Sequence, residues 1–306
     1  MNRTKIVAVE VNPTELIAIP PFSFLSICYS QLIHFEWTYT YYIALVHYNI
    51  VFHSYDEIKM LRKEVIRMEY LDMLAKLGIG NAHPGGFAAT IKQLEQYPLQ
   101  TNSQVLEVGC GTGRTSCYLA AKGYDVTGID IRSEMISKAT LRAKEVNVSA
   151  VFLEGDACSL PFESHSFDVI LVESVSIFVD TAKALSEYYR VLRTGGKVFD
   201  REMIQFKPMP KEIYDEVTRF FQIDTLWDYQ EWSQIVNKAA FKDTQIEGPF
   251  LFHKINEDLL EHPDHHQHID AGSFYDAALW EVTNKYNSIM ERYQEYMGYI
   301  HFMGTK

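Results

Sequence analysis

The chain is 306 residues long, with 47% hydrophobic and 22% charged residues; this ordinary globular usage excludes a disordered, collagen-like or coiled-coil protein. Lys plus Arg (28) against Asp plus Glu (40) leave a formal charge of −12 with no basic block, which excludes nucleic acid and anionic lipid as default partners. Cys28, Cys110, Cys117 and Cys158 form neither a disulfide framework nor a CxxC zinc pattern, and a reduced, cytoplasmic setting is the simplest reading.

Residues 1–55 stand apart. No Lys or Arg lies between Lys5 and Lys59, and aromatic residues crowd between Phe22 and Tyr55. Glu10, Asn12, Pro13 and Glu15 interrupt the first apolar stretch, which disfavours a signal peptide. Trp37–Phe52 falls short of the ~20 apolar residues of a membrane span, carries His47 and Asn49, and lacks flanking positive charge, so membrane insertion is disfavoured too. The reading adopted is a dispensable aromatic extension, with the functional chain starting near Met60 or Met68.

A helical cap is expected over 56–98. Ile58, Leu61, Val65, Met68 and Leu71 recur every three or four residues, painting one apolar stripe that Gly78 and Gly80 end. A turn-rich loop, Asn81-Ala82-His83-Pro84-Gly85-Gly86, leads into a short helix through Ile91 and Leu94, stopped by Pro98.

Strands and helices then alternate. Strands are predicted at Val105–Val108, Asp125–Asp130, Val151–Leu153 and Phe167–Val172, and, after Gly195-Gly196, at Lys197–Phe199. Helices are predicted at Thr115–Lys122, Glu134–Val146 and Thr181–Leu192. Such alternation implies an α/β fold with a doubly wound sheet of mainly parallel strands. From about Phe206 the pattern reads as mostly helical, with a polar loop at Glu261–Asp270, a long helix at Tyr275–Tyr296 and a last strand at Tyr299–Phe302.

The informative segment is Val105-Leu106-Glu107-Val108-Gly109-Cys110-Gly111-Thr112-Gly113-Arg114-Thr115, a strand running into a glycine cluster and then a helix. Glycines suit a backbone that a ligand must approach closely, and the helix start offers free N–H groups. The dinucleotide fingerprint wants its third glycine where Arg114 stands, so G-x-G-x-G disfavours a nicotinamide enzyme. The segment resembles motif I of the class I S-adenosylmethionine-dependent methyltransferases, and more narrowly the type-11 group that includes the ubiquinone/menaquinone C-methyltransferases. Val126-Thr127-Gly128-Ile129-Asp130, Glu154-Gly155-Asp156-Ala157, Ser166-Phe167-Asp168-Val169-Ile170 and Tyr189-Arg190-Val191-Leu192-Arg193-Thr194-Gly195-Gly196 extend the likeness over residues 83–204.

The resemblance implies a Rossmann-like class I methyltransferase sheet over 99–306 with a helical N-terminal cap and C-terminal helical additions, including a lid or insertion at about 206–298. It also implies that Glu107, Gly109, Gly111 and Gly113 hold the methionine part of S-adenosylmethionine. Asp130 would accept the ribose hydroxyls with Ile131 beside it, and Asp156 and Ala157 would read the adenine. An ionised carboxylate is acceptor-only and suits a diol or an amine.

Transfer from a sulfonium to a small-molecule acceptor needs positioning, and a general base only where the acceptor must lose a proton. Glu173, at the carboxyl end of the fourth strand, and His83, in the capping loop, are the candidates to act on the acceptor; Glu173 is equally a candidate for the cofactor amine. Glu202 is a weaker third, and if it lined the pocket with Glu173 an amine acceptor would follow. Trp227–Trp232 reads as a pocket lid or as core. The histidines of 262–268 have no metal spacing, and no metal is expected. A cofactor-binding protein without catalysis is the alternative reading.

Overall fold

Residues 68–252 and 261–306 are described by the computed structural model, so the expected extension and the first turns of the predicted stripe, with Ile58, Leu61 and Val65, lie outside the described residues. In chain order the elements are α1 (Tyr70–Leu77), α2 (Gly86–Gln96), β1 (Gln104–Val108), α3 (Arg114–Ala121), β2 (Asp125–Asp130), α4 (Ser133–Glu145), β3 (Val151–Glu154) and β4 (Phe167–Glu173). There follow α5 (Thr181–Val191), β5 (Leu192–Gln205), α6 (Lys211–Phe221), α7 (Tyr229–Lys238), β6 (Lys242–Leu251), α8 (Ala277–Tyr293) and β7 (Met297–Thr305). The sheet order is β3-β2-β1-β4-β5-β7-β6. β1 to β5 are parallel, and β7 enters antiparallel between β5 and β6.

Local chemistry fixes the helix ends. Glu69 and Asp72 form a reciprocal capping box at the start of α1, and Gly78 closes that helix in the left-handed region at φ 63°. Asp228 caps α7 by accepting the Gln230 and Glu231 N–H groups, with Glu231 returning a bond to the Asp228 N–H. Asp276 caps α8 in the same position.

Strand alternation gives each sheet face its own core. Leu106, Val108, Ile170, Val172, Val198 and Phe302 point to one face, against Ala184, Leu185 and Tyr188 of α5 and Trp232 and Val236 of α7. Val105, Val169, Leu171, Phe199 and Met303 point to the other, with Leu119 of α3 and Leu94 of α2. A third cluster joins Tyr70, Met73 and Leu74 of α1 to Val217 and Phe221 of α6 and Leu279 and Ile289 of α8.

Three elements differ from expectation. The region after Phe206 contains β6, an edge strand whose side chains are mostly exposed and which holds Gly248 and Pro249, so it carries no apolar alternation to read. β5 runs through Gly195-Gly196 to Gln205, because Gly195 N–H donates to the Lys306 carbonyl and Lys306 N–H to the Gly196 carbonyl, keeping the glycines in the ladder. The long C-terminal helix is α8 followed by a 3₁₀ turn, Gln294–Tyr296. Trp232 is fully buried and meets Trp227 edge-on at 5.1 Å, so this stretch is core rather than lid. Trp232→Ala should therefore cost about 3–5 kcal/mol in urea unfolding, and a loss below about 1 kcal/mol would contradict the core assignment.

Candidate active site

The loop after β1 presents bare backbone at the carboxyl edge of the sheet. Gly111 has φ +51° and a Cβ placed there would meet nothing within 4 Å, so the loop faces open space at that point. At Gly113, φ +73°, a Cβ would lie 2.8 Å from Ala139 of α4 and 2.9 Å from Phe152 of β3, so only glycine lets α3 start here. Asp130 ends β2 beside this loop. Its Oδ2 accepts the Gly111 N–H at 3.0 Å and its Oδ1 the Arg132 N–H at 3.0 Å. Two of the roughly four acceptor positions of the carboxylate are thus used. Burial raises the Asp130 carboxyl above its ordinary value against those two N–H groups.

Ile131 follows with 62% of its surface exposed, an apolar side chain at the strand end with little of its own protein to cover it. Asp156 is exposed and accepts the Cys158 N–H at 2.8 Å, while Ala157 is buried in the core below it. Glu107 points to the opposite side of β1 from Leu106 and Val108 and accepts a short hydrogen bond from Ser116 Oγ of α3. Burial pushes its carboxyl up to about 8, opposed by the Ser116 bond.

Glu173 and His83 are brought together. Glu173 ends β4 in register with Arg201 of β5. Its Oε1 takes Arg201 Nη1 at 2.9 Å and Thr90 Oγ1 at 2.6 Å, and its Oε2 takes Thr115 Oγ1 at 3.2 Å and faces His83 Nε2 at 3.5 Å. Burial works to raise this carboxyl, but His83, Arg201 and the two threonine hydroxyls outweigh it and hold it below its ordinary value. Glu173 is consequently ionised and weakly basic. Arg201 also donates to the Gln93 side chain at 2.8 Å and the Ala89 carbonyl at 3.0 Å, both of α2. His301 of β7, in register with Arg201, is pushed down to about 4 by burial and by that guanidinium.

Glu202 does not line a pocket with Glu173. One residue past Arg201, it points to the other sheet face and accepts the N–H groups of Val175 (2.9 Å), Ser176 (2.7 Å) and Ile177 (3.3 Å). Asp200 beside it accepts Ser176 Oγ at 2.8 Å. Burial raises both carboxyls, and repulsion from Asp200 raises Glu202 further. The condition for an amine acceptor set by two pocket carboxylates is not met.

Ser174, at φ +59° with its N–H on the Arg201 carbonyl at 2.8 Å, turns the chain sharply after Glu173. It opens on a narrow cavity of about 20 Å³, room for roughly one water. Ala82 and Pro84, the neighbours of His83, line it with Tyr70, Phe178, Met203, Phe221, Tyr286 and Met290. Among the described residues, no cluster of His, Cys, Asp or Glu fits a metal ion.

Arg201, Thr90 and Thr115 escaped the sequence reading. The signal available was Asp200-Arg201-Glu202, three consecutive charges inside an apolar strand, which alternation must bury on both faces.

The strand order with its antiparallel seventh strand, the glycine loop after β1 and the acid ending β2 define the fold of a class I S-adenosylmethionine-dependent methyltransferase. A family profile described as a methyltransferase domain matches residues 106–200. The chain is 30% identical over 237 residues to the uncharacterized methyltransferase YodH of Bacillus subtilis (strain 168), covering 78% of this chain and 99% of that one. It is 34% identical over 131 residues to the demethylmenaquinone methyltransferase of Thermus thermophilus, 42% of this chain and 56% of that one. Among solved structures it resembles Haemonchus contortus phosphoethanolamine N-methyltransferase 2 in complex with S-adenosyl-L-methionine, with TM-score 0.62 and 24% identity over 77% of this chain and 57% of that one. The chain belongs to the methyltransferase family, whose methyl donor is S-adenosylmethionine.

An acid with a raised folded pKa binds a proton more tightly when folded, so its contribution to stability is complete below its unfolded value and is lost as pH rises. For Glu107 that window runs from about 4.5 to about 8. Without cofactor, wild type should lose stability between pH 5 and pH 8, and Glu107→Gln should reduce that loss by roughly 2–4 kcal/mol. Parallel urea curves at the two pH values check this; equal slopes for both proteins would contradict it.

Proposed function

We propose that the protein transfers the methyl group of S-adenosylmethionine to a small-molecule acceptor, with Glu173 and His83 acting on the acceptor side. The observation that carries this reading is Thr115 Oγ1 on Glu173 Oε2 at 3.2 Å. It ties the first turn after the glycine loop to the His83–Glu173 pair, so the donor and acceptor sides share one rigid junction.

The residues fit the cofactor. Gly111 leaves open space over bare backbone, and Asp130 keeps an acceptor position on each oxygen for a ribose diol. Ile131 offers an exposed apolar surface for the adenine face, while Asp156 and Ala157 stand at the next strand end for its edge. Glu107 and the Gly109–Gly113 loop take the methionine portion. When bound, S-adenosylmethionine supplies a methyl group on a sulfonium, activated for in-line displacement.

The protein's own part is to orient, desolvate and remove a proton. Glu173 faces His83 Nε2 and stabilises an imidazolium there, while its lowered basicity makes it a poor base itself. Where the acceptor must lose a proton, His83 is the group to take it and Glu173 orients it. The cavity beside Ser174, walled by Tyr70, Phe178, Phe221, Tyr286 and two methionines, has room for roughly one water, so as it stands it admits at most a small apolar end of an acceptor. Among the described residues no helix is long and apolar enough to cross a membrane, and Cys110, Cys117 and Cys158 are free thiols; a cytoplasmic location accords with both.

Asp130→Ala should weaken S-adenosylmethionine binding by about 1–3 kcal/mol in calorimetry with the fold intact, since two ribose hydroxyls lose their acceptor. Unchanged affinity would sink the ribose assignment. His83→Ala should keep cofactor affinity and lower the rate by roughly 10²–10⁴-fold in a radiolabel transfer assay with an acceptor fractionated from extract. Normal turnover in that variant would leave catalysis positional and remove His83 from the site.

A further inference from the structure

The glycine loop after β1 is held from behind by a part of the chain far away in sequence. Arg142 of α4 donates through Nε to the Thr112 carbonyl at 2.8 Å and through Nη2 to Thr112 Oγ1 at 3.2 Å. Its two terminal nitrogens also form a paired bond to Asp264, 2.7 Å to each oxygen. Both side chains are almost wholly buried, at 4% and 5% exposure. The peptide between Thr112 and Gly113 is thereby fixed at both ends, because Gly113 N–H donates to the Cys110 carbonyl at 2.8 Å.

We propose that Arg142, held by Asp264, is a positioning residue for cofactor binding: it fixes the Thr112–Gly113 peptide so that the glycine loop keeps the shape S-adenosylmethionine requires. The proposal rests on the reading that the cofactor lies against this loop. Left-handed glycines leave such a loop many alternative conformations, and a Cβ at Gly111 would meet nothing within 4 Å. Asp130 holds the Gly111 N–H and Arg142 holds the next residue at the Thr112 carbonyl and hydroxyl, so groups outside the loop select its conformation. A planar guanidinium that meets a carboxylate on one edge and a carbonyl on the other does so with fixed geometry, which an ammonium would not.

Other bonds of the same segment serve a different purpose. Lys138 reaches the His268 carbonyl at 2.7 Å and Asp270, Gln267 Nε2 reaches the Leu77 carbonyl at 2.7 Å, and Asp270 N–H reaches the Lys76 carbonyl at 2.8 Å. These tie 267–270 to α4 and to the end of α1 without touching the glycine loop. They provide an internal control.

Breaking one partner of a buried pair destabilises a protein, whereas replacing both by apolar residues of similar size is often tolerated. The test is therefore the double variant Arg142→Met/Asp264→Leu in the full chain, with thermal unfolding and S-adenosylmethionine affinity measured together. The expected result is a melting temperature close to wild type and a Kd raised tenfold or more, with Asp270→Asn within twofold of wild type. Recovery of both stability and affinity in the double variant would overturn the proposal, since the pair would then matter for folding alone. An equal loss of affinity in Asp270→Asn would overturn it too, as a general loosening. Should the double variant not fold, Asp264→Asn is read by amide exchange at Gly113 without cofactor, where faster exchange supports the proposal and an unchanged rate refutes it. Asp130→Ala separates the two levels: if it binds the cofactor normally, the placement of the cofactor has failed, and if it alone binds weakly, only the role of Arg142 has.

Discussion

A carboxylate buried at the end of β4 must have a cation within reach, and the parallel register supplies one by placing Arg201 directly beside Glu173. Much of the site follows from that pair. The guanidinium still has donors to satisfy, which draws in Gln93 and the Ala89 carbonyl and so fixes α2 over the sheet. The remaining acceptor positions of the carboxylate draw in Thr90 from α2 and Thr115 from α3 and hold His83 in place. The cap is thus docked by charge satisfaction as well as by the apolar cluster around Tyr70 and Met73. Removing either partner would strand a buried charge, at a typical cost of about 3–5 kcal/mol.

Alternation along β5 divides the charges of Asp200-Arg201-Glu202 between two tasks. Arg201 faces the helices α2 and α3 and keeps Glu173 ionised. Asp200 and Glu202 face the opposite side, where they satisfy the N–H groups of 175–177 and the Ser176 hydroxyl. Those N–H groups begin the 3₁₀ turn Ser176–Phe178 that walls the small cavity beside Ser174. The Arg201 side therefore fixes Glu173, and the Asp200 and Glu202 side fixes the turn at 175–177. One strand segment serves both.

Most of the sheet was legible because buried parallel strands are written as apolar runs closed by turn residues, as at Val105–Val108 before the glycine cluster. The juxtaposition of the glycine loop and Asp130 was legible because the motif resemblance and the parallel order place both at the carboxyl ends of β1 and β2, where Asp130 accepts the Gly111 N–H. β6 was not legible, because an exposed edge strand carrying Gly248 and Pro249 has no apolar face. The partners of Glu173 were hidden for another reason. Thr90, Thr115 and Arg201 lie 83, 58 and 28 residues away along the chain, and pairing across such distances is decided by register and packing. Glu202 misled because the expected strand stopped at Phe199 and left it past a strand end like Glu173, whereas β5 runs on to Gln205 and parity places Glu202 on the other face.

The central claim is that donor and acceptor meet at the carboxyl ends of β1, β2 and β4, between the glycine loop and the Ser174 cavity. A crystal structure of the full chain with S-adenosylhomocysteine tests it most directly. The account predicts both ribose hydroxyls within hydrogen-bond distance of the Asp130 carboxylate, and the sulfur turned towards Ser174 and the His83 ring. A ribose bound away from Asp130, or a sulfur pointing away from that cavity, would contradict it.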